Sequence, residues 1–269
     1  MTTDSLYRLR SYVKSFFDEQ QRQRLRRLQT LRFRRLQHIV FRAVFGRNLR
    51  ALALLNGTDK WGEHWYARHY ETHFAPLRLR RLKILEIGIG GYEDPESGGA
   101  SLRMWRTYFP RSMIFGIDLY DKSVHDERRI KTFRGSQVDE RFLQAVLDET
   151  GPLDIVIDDG SHVNEHVIRT FELLFPHLRH EGMYVIEDTQ TSYWSSEGGS
   201  SKELNSTSTT MGFLKTLVDG LNHAEFEQQY EPTFYDANIV AIYFYHNLAF
   251  IGKGPNTEKG GRRAFQAKR

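Results

Sequence analysis

The sequence predicts an α/β fold on a mostly parallel sheet, and three observations predict it. Short apolar runs recur after residue 80, at 82–89, 113–119, 130–135, 153–159 and 182–188, separated by stretches long enough for a crossover helix. Strands joined in that way lie parallel, with helices on both faces of the sheet. The second observation is that "NIVAIYFYH" and "NLAFIGKG" meet at His246-Asn247, which reads as an antiparallel hairpin completing seven strands. Third, three of these runs, 113–119, 153–159 and 182–188, carry acidic side chains at their carboxyl ends, where folds of this class build their sites.

Ahead of the sheet lies a basic segment. Residues 1–50 hold thirteen Lys/Arg against Asp4, Asp18 and Glu19, so the remainder of the chain is acidic although the total is +4. Within "QRQRLRRLQTLRFRRLQHIVFRAVFGRNLR" (21–50), ten arginines surround Leu25, Leu28, Leu36, Ile39 and Val40 at roughly helical spacing. The pattern predicts a long amphipathic helix or a broken pair. Its apolar stripe is expected to pack on its own domain or on a second copy, giving a homo-oligomer through 1–56; peripheral adhesion to anionic lipid or an acidic polymer is the competing reading. The predicted division is a basic helical segment 1–56, a catalytic domain 57–252 and a flexible basic tail 253–269.

The chain as a whole excludes several classes. With 269 residues and 39% hydrophobic content it can bury one large core. It has no cysteine, hence no disulfide framework and no thiolate metal site, which suits a reducing, cytoplasmic setting. No apolar run reaches the roughly 18 residues of a membrane span, and the start MTTDSLYRLR lacks a signal-peptide apolar region.

The first strand runs into "LEIGIGGYED", with Glu86, Gly88, Gly90 and Gly91. A dinucleotide fingerprint calls for glycine or alanine where Glu93 stands, and a pyrophosphate there would meet Glu93 and Asp94. The pattern E-x-G-x-G resembles instead motif I of the class I S-adenosylmethionine (AdoMet) methyltransferases, a Rossmann-like fold whose glycines let the backbone approach a nucleoside. The second strand ends in Asp118, where a carboxylate accepts ribose hydroxyls in nucleoside-binding α/β folds. In "RGSQVDERF" (134–142), Gln137 is expected to read the adenine edge; the alternative is that Ser136 simply caps the next helix.

The fourth strand ends in Asp158-Asp159 and the fifth in Glu187-Asp188. Neighbouring parallel strands would bring these pairs to one edge, where Asp158 is expected beside the cofactor. Adjacent carboxylates raise each other's pKa, so a positive group is expected among them. Without cysteine or a dense histidine cluster, the donor set suits a hard cation such as Mg²⁺. His162 follows Asp159 closely as a helix begins, near the predicted ion. Residues 189–212, rich in Ser, Thr and Gly, are expected to form a mobile lid, with Tyr193 and Trp194 at its root stacking on a sugar face; core packing is the plain alternative for Trp194.

Taken together, "GTDKWGEHWYARHYETHF" (57–74), "VIDDGSHVNEH" and "VIEDTQTSYW" resemble the metal-dependent sugar O-methyltransferases of macrolide biosynthesis, the mycinamicin and tylosin deoxysugar enzymes. They also resemble the 1-O-methyltransferase of mycobacterial methylmannose polysaccharide synthesis. The resemblance covers about 57–252. It implies that Asp159, Glu187 and Asp188 bind Mg²⁺, that His162 is the base, and that Thr58, Lys60, His64, Tyr66 and Tyr70 belong to a segment closing the AdoMet site. It implies transfer of methyl to a sugar hydroxyl of a glycan, polysaccharide precursor or glycosylated natural product. A chelated ion lowers the pKa of the alcohol, and a vicinal diol would suit it. The rival enzyme reading is a catechol-like phenol acceptor. The acidity of residues 51–269 and the lack of an RNA-binding motif argue against an RNA methyltransferase, and the intact carboxylate set argues against a non-catalytic scaffold.

Overall fold

A computed structural model describes residues 45–258 and Gly260. The chain divides into two compact units, residues 1–47 and 48–269, and the described residues belong almost wholly to the second. The predicted arginine-rich helix therefore lies outside the described residues, apart from its final few. The second unit opens at Asn48 rather than at residue 57. Asn48 caps α1 (Leu49–Asn56) by accepting from the Ala51 N–H, and Gly57 ends it in the left-handed conformation. The apolar residues Leu49, Leu52 and Ala53 bury one face, so α1 belongs to the folded domain despite its position at the end of the basic stretch.

α2 (Tyr66–Phe74) precedes the sheet. The seven strands are β1 (Lys83–Ile87), β2 (Met113–Asp118), β3 (Ile130–Arg134), β4 (Leu153–Asp158), β5 (Leu178–Glu187), β6 (Ile239–Tyr245) and β7 (Leu248–Lys253). They lie in the order β3-β2-β1-β4-β5-β7-β6. The first five pair parallel and β6 and β7 form an antiparallel hairpin, as the sequence predicts; β7 inserts between β5 and β6. Asn247 makes the hairpin turn at φ 60°.

The crossovers are α3 (Ala100–Tyr108), α4 (Glu140–Thr150) and α5 (Asn164–Leu174), followed by α6 (Thr210–Leu221) and the short α7 (Phe234–Asn238). Each presents an apolar face to the sheet. On one side Val146, Phe171, Leu214 and Tyr184 join a continuous cluster with the strands. On the other, Tyr70 packs edge-on against Trp105 and Phe250, at 4.9 and 5.3 Å between ring centroids. Burying aromatic rings of this size is a main source of stability and fixes α2 against α3 and β7.

Two expectations about loops are corrected. Asp139, not Ser136, caps α4, accepting from the Phe142 N–H at 3.1 Å. The chain after residue 253 is not wholly free: Lys253 is buried, and Asn256 donates to the carbonyls of Leu221 and Asp236. Among the described residues, no helix is long and apolar enough to cross a membrane.

Candidate active site

The ends of β1, β2 and β4 converge on a cavity of about 900 Å³, large enough for a nucleoside with an amino-acid tail. Its floor is glycine for a steric reason. A Cβ on Gly88, at φ 86°, would lie 2.0 Å from the Asp159 carbonyl oxygen, so only glycine lets β1 pass so close to the end of β4. Asp118 lines the cavity, its two oxygens accepting from the Ile89 and Tyr120 N–H groups, each at 2.9 Å. The lining carries Asp59, Glu63, Asp118, Asp159 and Asp188 against Lys60 and Arg103, a net acidic wall that suits a cationic sulfonium.

Thr58, Lys60, Gly88, Gly90 and Gln137 also border this cavity. Gln137, however, has its amide occupied: Nε2 donates to Thr170 Oγ1 at 3.0 Å and to Asp158 Oδ1 at 3.3 Å, and Oε1 accepts from the Ser161 N–H at 2.8 Å. Its side chain braces the 158–161 turn, with both amide N–H donors engaged inside the domain. Asp158 is likewise turned inward, accepting from Gln137, Gly160 and Tyr184, and burial pushes its pKa up to about 7. Glu86 is buried behind the glycines with Oε2 on Ser101 Oγ at 2.8 Å. Burial raises its pKa to about 7, opposed by Lys60.

Around the strand ends the carboxylates form two sets that share Asp159. One, Glu86, Asp159 and Glu187, wraps the buried Lys60; the other, Asp159, His162 and Asp188, is partly exposed. Lys60 Nζ lies 2.6 Å from Asp159 Oδ2, 2.7 Å from Glu187 Oε1 and 3.5 Å from Glu86 Oε1. Burial alone would lower the lysine pKa, but Asp159, Glu187 and Glu86 hold it well above the ordinary value. Burial and Asp159 push Glu187 up, opposed by Lys60, and burial raises Asp159 against the pull of Lys60 and His162. The positive group that the sequence calls for is thus supplied in part by Lys60. One ammonium does not balance four carboxylates, and the Asp159–Asp188 side still faces the cavity.

His162 Nε2 stands 3.9 Å from Asp159 Oδ1 and 3.7 Å from Asp188 Oδ2. It adopts φ 57° and Asp188 φ 52°, left-handed conformations costly for such residues and common where function holds a turn. His64 and Tyr66 approach this set rather than the cavity lining: Tyr66 donates to Asp188 Oδ1 at 2.6 Å, and His64 stacks on the Tyr66 ring. Tyr193 and Trp194 are 40% and 52% exposed and lie outside the cavity lining, so Trp194 is not a core residue. The chain from 189 to 209 is pinned at its base, where buried Asn164 donates to the carbonyls of Thr191 and Glu197 and accepts from the Thr210 N–H.

Sequence reasoning gave no role to two residues. His166 borders the cavity with Nδ1 3.0 Å from Ser161 Oγ, and its place in the 158–166 run was the available signal. Lys122 is buried with Nζ on the carbonyls of Asp94 and Ser97, at 2.6 and 3.1 Å, tying the loop after β1 to the loop after β2. Nothing in its sequence context marks it.

This strand order, with a glycine-floored, acid-walled cavity at the carboxyl edge, defines a class I methyltransferase domain. No family model matches the chain. It is 48% identical over 217 residues to the 8-demethyl-8-alpha-L-rhamnosyl tetracenomycin-C 2'-O-methyltransferase of Streptomyces olivaceus, covering 79% of the chain and 56% of that protein. It is 48% identical over 206 residues to the mycinamicin VI 2''-O-methyltransferase of Micromonospora griseorubida, covering 76% and 52%. The solved structure of the MycE methyltransferase from the mycinamycin biosynthetic pathway, in complex with Mg, SAH and mycinamycin VI, superposes with a TM-score of 0.77 at 44% identity, over 82% of the chain and 59% of that one. Over the matched residues the chain belongs to the family of these deoxysugar O-methyltransferases. It spans about half the length of the curated relatives it matches.

Proposed function

We propose that the protein transfers the methyl group of AdoMet to a hydroxyl of a sugar carried by a glycan or glycosylated natural product, with a divalent ion held at the Asp159–Asp188 edge. The observation that carries the reading is the grouping of Asp159, His162 and Asp188 on one side of the glycine-floored cavity. The carboxylates of Asp159 and Asp188, with Glu187 behind, are an oxygen donor set suited to Mg²⁺, and the surplus of negative charge over Lys60 favours a cation there, with the imidazole left free to act as base. When bound, that ion supplies Lewis acidity, lowering the pKa of an alcohol oxygen presented to it.

The chain's own residues do the rest. Gly88 and Gly90 admit the nucleoside, and Asp118 stands where the ribose hydroxyls belong. His162 receives the hydroxyl proton on Nε2 as the sugar oxygen forms its bond to the methyl carbon. The carbon–sulfur bond breaks, its electron pair stays on sulfur, and S-adenosylhomocysteine leaves. The acidic wall favours the sulfonium electrostatically, and the rate gain comes chiefly from holding the oxygen and methyl in line. Tyr193 and Trp194, exposed beyond the cavity, offer faces for a pyranose. The relatives act on rhamnosyl and macrolide-linked sugars, which supports this acceptor class over a catechol.

The test is an assay of the full chain with methyl-labelled AdoMet against deoxysugar-bearing macrolides, rhamnosylated polyketides and a catechol, with EDTA and with Mg²⁺ restored. Methylation of the glycosylated acceptors, abolished by EDTA and recovered with Mg²⁺, is expected. Turnover of catechol alone, or activity indifferent to EDTA, would reject the proposal.

A further inference from the structure

Residues 57–74 hold the strand-end carboxylates in a consistent way. Tyr66 donates to Asp188 Oδ1 at 2.6 Å. Tyr70 donates to Glu187 Oε1 at 2.5 Å, an oxygen it shares with Lys60 at 2.7 Å. Lys60 also donates to Asp159 Oδ2 at 2.6 Å. Of Asp159 and Asp188, the oxygens nearest His162 Nε2 are the other two, Asp159 Oδ1 at 3.9 Å and Asp188 Oδ2 at 3.7 Å. In both aspartates, one oxygen is tied to residues 57–74 and the second is turned toward the imidazole.

That division has a physical consequence. The terminal torsion of a carboxylate is broad and roughly two-fold, so an untethered aspartate offers a ligand oxygen only part of the time. A donor fixed on one oxygen aims the other, and ordering completed during folding is not charged again on binding. The donors are themselves rigid. Tyr70 is wholly buried among Phe74, Trp105 and Phe250. Tyr66 is buried, stacked on His64 with ring centroids 4.7 Å apart, and its hydroxyl reaches the Asn247 carbonyl at 3.2 Å as well. Both phenols stay protonated, since burial and the facing carboxylates raise their pKa values. The sequence places Lys60 and Tyr66 at the cofactor; of the two, the structure puts only Lys60 on the cavity lining, and puts both on the carboxylates.

We infer that Lys60, Tyr66 and Tyr70 form an orienting frame for the carboxylates of a divalent-ion site, positioning residues that set its affinity. The inference rests on the metal reading above. Partners in such an outer shell typically change metal affinity by roughly 10- to 100-fold when removed.

The experiment compares the full chain with Tyr66→Phe and Tyr70→Phe, each losing only a hydroxyl. Mn²⁺ binding is read by paramagnetic resonance and Mg²⁺ binding by calorimetry; S-adenosylhomocysteine binding and the melting curve without added metal are measured on the same samples. The expected result is a loss of roughly 10- to 100-fold in ion affinity for Tyr66→Phe, a loss for Tyr70→Phe, and nucleoside affinity within twofold of the parent. Ion affinity unchanged in both variants overturns the inference. So does equal weakening of ion and nucleoside binding, which would make the segment a general support of the cavity. If the parent binds S-adenosylhomocysteine but neither ion, the metal reading itself falls, an outcome distinct from the other two.

Discussion

His162 reaches its position through an unusual backbone turn. Between Asp159 and the start of α5 the chain adopts φ 57° at His162, which sets its imidazole against both aspartates instead of out along the helix. Its replacement by alanine is expected to leave S-adenosylhomocysteine binding intact while lowering kcat by roughly 10²- to 10⁴-fold, the range for loss of a positioned base. A kcat close to the parent's would remove His162 from the reaction. Glu86 carries a different expectation. The folded protein keeps its proton up to about pH 7, whereas the unfolded chain loses it near the usual glutamate value. Between those values the native state binds more protons, so on this residue's account stability is greatest at the acid end and falls as pH rises. Urea unfolding at pH 5 and pH 8 should show a smaller decline for Glu86→Gln than for the parent, and parallel declines would refute the assignment.

Among the elements, β7 and the start of β5 are joined by one side chain. Lys253 Nζ donates to the carbonyls of Phe175, Pro176 and Leu178, at 3.0, 2.8 and 2.7 Å, where the chain leaves α5 and enters β5. Lys253→Met would remove this donor from all three carbonyls, of which Phe175 keeps the Leu178 N–H, and is expected to cost ~2–4 kcal/mol of stability, judged by the usual penalty for unsatisfied buried groups. Thermal or urea unfolding checks it, and a change below about 1 kcal/mol would show that other donors satisfy those carbonyls. The strands were legible because parallel strands buried on both faces read as continuous apolar runs. Helix caps were less so: Ser136 and Asp139 are both acceptable caps in sequence, and only the turn geometry selects Asp139. The expected lid shows the same limit. Its Ser/Thr/Gly composition predicts a loop, yet buried Asn164, remote in sequence, fastens its base.

For the molecule as a whole, the sequence by itself determined the layered α/β architecture, the strand order's antiparallel finish and the list of acidic strand ends, because each follows from periodicity and local composition. The family motifs placed Asp118, Asp159, His162, Glu187 and Asp188 at one edge. Which groups face each other there was decided only by the tertiary structure. Lys60 lies 99 positions from Asp159 and 127 from Glu187, yet its ammonium sits between them; Tyr66 meets Asp188 across 122 positions. Gln137 and Asp158 look equally available in sequence and turn out to satisfy each other inside the domain. Local pattern fixes where a side chain stands on its own strand or helix. The direction in which it points, and the charge it meets, depend on how separate elements pack, since a carboxylate's partner is chosen by distance in space and by the cost of leaving a buried polar group unpaired.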